Sequence, residues 1–309
     1  MNQAFVLGAG LGERLRPLTD QLPKPLIPVF HKPLITKAFD HLLGVGVQRF
    51  VVNTHHLPGQ YELAFPDQNY AGAPIQFREE SPVRLETAGG IANVRDLLGD
   101  EPFLVYNGDI LTDLPLEPLI REHARGENLV TLVLRSQGPA PHIACDLAKG
   151  TLTDIRGMLG TGNPGTHLFT GIYACSPEFY QWLTPGKVES VIPVFLRAMQ
   201  AGKRIGVVVA DEGDWWDLGS RNAYLEAHQA LATAGRHELP AVHPESQVSP
   251  QADLGGLNVI GPGALVEAGA RLRDCLVWPG ARISAEADLE RCIVRRGITA
   301  QGTHRDTDL

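Results

Sequence analysis

Over the first 240 residues, short apolar runs alternate with amphipathic stretches. Residues 4–7, 50–52, 103–106, 129–134, 169–174 and 205–210 are brief and dominated by Val, Ile, Leu, Phe and Ala, the composition of strands buried on both faces. Between the first two, Leu34, Ile35, Ala38, Phe39, Leu42 and Leu43 share one stripe of a helix predicted over 33–43, with Gly44 placed as its C-terminal stop. Residues 87–98, 177–183, 188–200 and 220–234 carry helical patterns as well. Strands spaced by helices predict an α/β fold with a Rossmann-like, mostly parallel mixed sheet flanked by helices. Ligands of such sheets sit at the carboxyl ends of the strands, where glycines and acids gather in this chain.

Past Pro240 the helical period disappears. From about Val248, small apolar residues return at intervals of roughly six, as in Val259-Ile260-Gly261-Pro262-Gly263-Ala264 and Val277-Trp278-Pro279-Gly280-Ala281. The register is interrupted at 272–276 and 289–292. This spacing predicts a short left-handed parallel β-helix of hexapeptide repeats, against the plainer reading of an irregular Gly/Pro-rich tail. The expected division is therefore 1–240 and 241–309. A solenoid needs its ends covered, so docking on the first domain and self-association into a homo-oligomer both stay open.

Composition narrows the partners. The 309 residues carry 27 Lys and Arg against 35 Asp and Glu, a net charge of −8, with 43% hydrophobic residues. That is too apolar for a disordered chain and too acidic for one whose main partner is nucleic acid. No run approaches the roughly 20 apolar residues of a membrane span, and residues 1–10 have no basic signal-like stretch. Cys145, Cys175, Cys275 and Cys292 form no CxxC pair. Reduced thiols in a cytoplasmic protein are expected.

The chemistry is concentrated in Leu7-Gly8-Ala9-Gly10-Leu11-Gly12-Glu13-Arg14-Leu15-Arg16-Pro17-Leu18-Thr19 and the Pro23-Lys24-Pro25 that follows. Glycines after a strand let backbone N–H groups converge on a phosphate. The pattern lacks both the Rossmann dinucleotide fingerprint and the Gly-Lys-Ser/Thr of a Walker loop. It adds Arg14, Arg16 and Lys24 on a backbone stiffened by Pro17, Pro23, Pro25 and Pro28. A solvated basic loop with structural glycines is the bland alternative.

This segment resembles the signature GxGxRLxPLT loop and PKP of the sugar-1-phosphate nucleotidyltransferases, and the resemblance spans the first 240 residues. Leu85-Glu86-Thr87-Ala88-Gly89-Gly90-Ile91 is similar to the N-acetylmuramate-1-phosphate uridylyltransferases, with mannose- and heptose-1-phosphate guanylyltransferases also similar; the tail resembles that of longer members. The resemblance implies Mg²⁺-dependent attack of a sugar 1-phosphate on the α-phosphorus of an NTP, releasing pyrophosphate. It implies Arg14 and Lys24 as catalytic cations, and Gly8, Ala9, Gly10, Gly12, Glu86, Thr87, Gly89 and Asn107 as nucleotide contacts. Gly171 would face the sugar, and Asp109 and Asp217 would bind the metal, with Asp113 and Asp214 as turn residues. One departure stands out: the mid-domain Glu-Lys-Pro of many members is missing, and Arg156 is the nearest cation in that stretch. A non-catalytic subunit that binds nucleotide sugars is the alternative reading. An acyltransferase tail is weaker still, because His304 is the only histidine after Val248.

Overall fold

The computed structural model describes residues 1–163 and 165–309. The chain forms two compact units, Met1–Leu11 with Ile35–Trp215, and Gly12–Leu34 with Trp216–Leu309. The segment bearing Arg14 and Lys24 thus groups with the C-terminal part of the chain, although it leaves the first strand of the sheet.

The first unit is built on a ten-stranded mixed sheet. In spatial order its strands are Ile143–Asp146, Thr151–Ile155, Ile205–Val209, Val130–Arg135, Leu168–Cys175, Phe103–Asn107, Gln3–Leu7, Arg49–Thr54, Ala73–Glu79 and Asn69–Tyr70. Phe103–Asn107, Gln3–Leu7, Arg49–Thr54 and Ala73–Glu79 form a parallel block. Leu168–Cys175 runs antiparallel to both of its neighbours. Ala4, Phe5 and Val6 are all fully buried, although successive side chains of a strand face opposite ways, so both faces of the sheet are covered. Register places Leu7 opposite both Asn53 and Asn107, and Asn53 opposite Arg78. Gly8, Thr54, Glu80 and Gly108 therefore leave the parallel block at one edge, the edge where binding groups are expected.

Local chemistry shifts several predicted boundaries. The first long helix is Ile35–Gly44, so Gly44 is still helical and Gly46, at φ 88°, takes the left-handed stop. The Gly46 and Val47 amides close the end on Leu43 and Leu42, a Schellman arrangement. Pro33 pairs in a small hairpin instead of opening that helix. Residues 177–182 form a 3-10 turn, and the next helix is Val191–Gln200, capped by Ser190 accepting from the Ile192 amide. The predicted helix over 87–98 divides into Glu86–Asn93 and Arg95–Leu98.

In the second unit the tail winds as a three-sided parallel β-helix. Val248, Val266, Ile283 and Ala300 stack on successive coils, 17 or 18 residues apart. The apparent interruptions are corners: Asp274 and Arg291 adopt left-handed backbone there, and Asp274 Oδ1 accepts the Leu257 amide at 2.9 Å. Helix Arg221–Thr233 packs in the same unit. Its buried Tyr224 accepts from Trp278 Nε1 of the β-helix at 3.2 Å and donates to the Pro28 carbonyl of the 12–34 segment. Arg295 donates to the Pro17 carbonyl of that segment, and Gln21 of the segment donates to the Arg296 carbonyl. All four cysteines are free thiols. Among the described residues no helix is long and apolar enough to cross a membrane.

Candidate active site

Leu15, Leu18 and Leu26 are buried and pin the 12–34 segment, which runs through three short 3-10 turns. Gly12, at φ 64°, opens it; a Cβ there would lie 2.7 Å from Thr19 Cγ2, while Thr19 Oγ1 donates to the Gly12 carbonyl. Both features demand glycine. The Lys24 side chain is 6% exposed, and burial of an ammonium requires a partner. Its Nζ lies 2.9 Å from Asp217 Oδ1, while Arg14 Nη2 approaches Oδ2 at 3.4 Å with its side chain 74% exposed. Burial of the Asp217 carboxyl acts to raise its pKa, but the Lys24 and Arg14 charges outweigh it and hold the group below the usual carboxylate range. Gly219 makes room for this triad: a Cβ there would lie 2.8 Å from Arg14 Cζ and 3.0 Å from Asp217 Oδ1. Arg16, in contrast, turns to Asp20 at 3.6 Å. Two cations converging on one carboxylate leave a net positive charge, a site that a polyphosphate can enter by exchanging partners with Asp217.

In the first unit the groups are mostly neutral. The Gly8 amide, expected to face a nucleotide, donates to Asn53 Oδ1 at 2.8 Å, and the Gly8 carbonyl accepts from Tyr61 at 2.8 Å. Gly10 is exposed with nothing near its Cβ direction, so it is the glycine that leaves open space for a ligand. Ala9 is buried between them. The amides of Ala88 and Gly89 both donate to the Glu189 carbonyl, and Thr87 Oγ1 accepts the Val191 amide at 2.8 Å. Those donors are engaged within the protein, and the small size of Gly89 serves contact with the Lys187 carbonyl. Glu86 sits at φ 62° with its carboxylate paired to Arg84, a backbone state that a non-glycine residue adopts at a cost and that recurs at functional sites. Gly171, at φ 85°, gives its Cβ space to Asn107, whose Cγ would be 2.7 Å from such an atom.

Asp109 lies partly exposed just past the Phe103–Asn107 strand. Its charge reaches the Tyr61 hydroxyl, whose pKa is raised first by burial and then by Asp109. Asp113 Oδ1 accepts the Asp214 amide, which makes that pair turn-forming. Arg156 is exposed on a left-handed turn after Thr151–Ile155. Sequence reasoning missed Glu80 and Gly219, neighbours of the predicted site residues. Each looks ordinary in one dimension, and only strand register and proximity single it out.

Asp109 and Asp217 offer hard oxygen donors, and the ionised state of Asp217 is favoured by its surroundings. No group of three or more His, Cys, Asp or Glu is gathered to hold a metal among the described residues. A carboxylate with so few protein donors around it suits Mg²⁺, which keeps waters and takes substrate phosphate oxygens, better than an ion needing a closed protein cage.

A nucleotidyl transferase family model matches residues 3–142. The chain is 36% identical over 233 residues to an N-acetylmuramate alpha-1-phosphate uridylyltransferase of Neisseria meningitidis serogroup B, covering 75% of this chain and 99% of the relative. It is 30% identical over 288 residues to a mannose-1-phosphate guanylyltransferase of Mycobacterium tuberculosis, covering 89% of this chain and 79% of the relative. Among solved structures, the inositol-1-phosphate CTP transferase from T. maritima superposes with a TM-score of 0.64 at 18% identity, covering 76% of this chain and 97% of that one, a likeness of fold.

Proposed function

The chain belongs to the sugar-1-phosphate nucleotidyltransferases, and from that membership we propose that it transfers a uridylyl or guanylyl group from UTP or GTP to a sugar 1-phosphate. A phosphate oxygen of the sugar 1-phosphate bonds to the α-phosphorus of the nucleotide, and the bond from that phosphorus to the oxygen bridging it to the β-phosphate breaks, releasing pyrophosphate. Both reactants are polyanions, so the protein's work is neutralisation and alignment. The observation that carries this reading is the Arg14–Asp217–Lys24 cluster. Lys24 meets the approaching phosphates and Arg14 the departing pyrophosphate, each leaving Asp217 as it does so. Asp217 and Asp109 are then available as Mg²⁺ ligands; the ion, when bound, supplies charge neutralisation across the phosphate oxygens. Gly10, Gly12, Glu86 and Asn107 line the nucleotide, and Gly171 with Asn107 bounds the sugar side. Free thiols suit a reducing, cytoplasmic setting.

The test is a matrix of the four common NTPs against sugar 1-phosphates, including N-acetylmuramate and mannose 1-phosphates, with and without Mg²⁺. Pyrophosphate release from at least one UTP or GTP pair, abolished by chelation, is expected. A folded protein that releases none from any pair, or needs no divalent ion, overturns the proposal. Tight binding of product without turnover would instead identify a non-catalytic nucleotide-sugar binder.

A further inference from the structure

One buried carboxylate takes no part in the cationic cluster or the metal pair. Glu80 follows the Ala73–Glu79 strand and is 1% exposed, and no cation pairs with it among the described residues. Its two oxygens accept from different elements: Oε1 from Asn53 Nδ2 at 2.7 Å, and Oε2 from the Leu85 amide at 2.7 Å, one residue before the Glu86–Asn93 helix. Asn53, 2% exposed, turns its other end to the Gly8 amide at 2.8 Å. Packing closes around the same atoms, since a Cβ at Gly90 would lie 2.9 Å from Glu80 Oε1 and 3.0 Å from Asn53 Nδ2. The Glu80 main chain is held too, its carbonyl accepting from the His55 ring at 2.6 Å.

We propose that Glu80 is the positioning residue for nucleotide binding, acting through Asn53 on the glycine loop and through Leu85 on the Glu86–Gly90 turn. The inference rests on the nucleotide roles proposed above. Both Glu80 oxygens are spent as acceptors, Oε1 toward Asn53, so the Asn53 amide presents its NH₂ there, which leaves Oδ1 as the single atom able to take the Gly8 N–H. The orientation of one carboxamide is thereby dictated by a buried acceptor, and with it the direction of the loop that leaves the first strand. At the same time the second oxygen fixes where the Glu86 turn begins. Two segments distant in sequence are set against each other by one side chain.

Exchanging the two groups tests this. Glu80→Gln keeps the shape but supplies one acceptor for two donors, and Asn53→Asp sets two buried carboxylates together. In the doubly exchanged E80Q/N53D protein every partner is restored. The introduced glutamine donates to the introduced aspartate and accepts from the Leu85 amide, while the aspartate also accepts from the Gly8 amide. Binding of Mg²⁺ with UTP and with GTP is measured by calorimetry, alongside kcat and KM on the active pair. Each single variant is expected to weaken nucleotide binding by about tenfold or more, the scale of a buried hydrogen bond to a charge. The double variant should return to within about threefold of wild type, and KM for the nucleotide should move more than kcat, as expected when only binding is disturbed. Singles that lose only thermal stability while binding normally overturn the proposal, as does a folded double variant that binds no better than the singles. Should a single variant fail to fold, the double decides. If the wild-type protein binds neither nucleotide, the functional reading itself fails, an outcome distinct from failure of the relay.

Discussion

On the proposed function, the two units prepare phosphate chemistry by opposite means. In the second unit the working groups are full charges, Arg14, Lys24 and Asp217, held by one another. In the first, Asp109 apart, they are small residues and neutral polar groups, held by a hydrogen-bonded network buried to within 1–2% exposure around Asn53 and Glu80. Charges are effective at range and tolerate rearrangement, so an ion cluster can exchange partners when a polyphosphate arrives. Backbone groups act only at contact distance and must be aimed beforehand, which explains why their supports are buried and rigid. The difference separates groups that respond to substrate from groups that wait for it.

Removing the charges breaks this contrast most severely. Asp109→Ala is expected to abolish turnover, and Lys24→Met to cut kcat/KM by about a hundredfold or more, roughly 3 kcal/mol of lost transition-state stabilisation. Pyrophosphate release measured at saturating Mg²⁺ checks both; near-normal rates would contradict the roles assigned. Next in size is a contrast within the glycine loop. A Cβ at Gly8 meets the Asn53 carbonyl at 2.6 Å and the Tyr61 hydroxyl at 2.9 Å, whereas one at Gly10 meets nothing. Gly8→Ala should destabilise the first unit by about 3 kcal/mol through overpacking, while Gly10→Ala leaves the melting temperature unchanged and affects only nucleotide binding. Equal melting temperatures for the two variants would refute the distinction.

A pH-dependent contrast concerns a buried histidine in each unit. Burial above all pushes His123 in the first and His228 in the second down to about 4, from an ordinary value of 6.5. The neutral His228 ring is satisfied where it lies: Nε2 accepts from the Phe30 amide and Nδ1 donates to the Tyr224 carbonyl. The unfolded chain takes up protons first as pH falls, so this stability is fully present above about 6.5 and is lost toward 4, by roughly 3 kcal/mol for each group. Denaturation followed from pH 7 to 4.5 should show the loss, and His228→Gln should reduce the slope by about one proton. A pH-independent midpoint across that window would rule it out.

Much of the architecture is legible because burial writes itself into composition. The strand at residues 103–106 and the tail period are visible since a strand covered on both faces must be apolar throughout and a coil must repeat to stack. Boundaries are less legible. Gly46 rather than Gly44 ends the first long helix because the choice rests on hydrogen bonds to Leu42 and Leu43, and the two glycines look equivalent in sequence. Corners at Asp274 and Arg291 resemble breaks in the repeat because left-handed backbone is expected first at glycine.

By itself, the sequence determined the chemical character of the chain: an α/β unit, a repeating tail, and a proline-stiffened loop with arginine and lysine that declares phosphate chemistry. Residue type and spacing suffice for those, since hydrophobic period and charge are local properties. Only the tertiary structure decided that the cationic loop groups with the tail, that Lys24 and Arg14 share Asp217, and that Glu80 accepts from Asn53. Those depend on which distant strands end side by side and which buried acceptor a donor finds, and no local pattern encodes a partner 193 residues away.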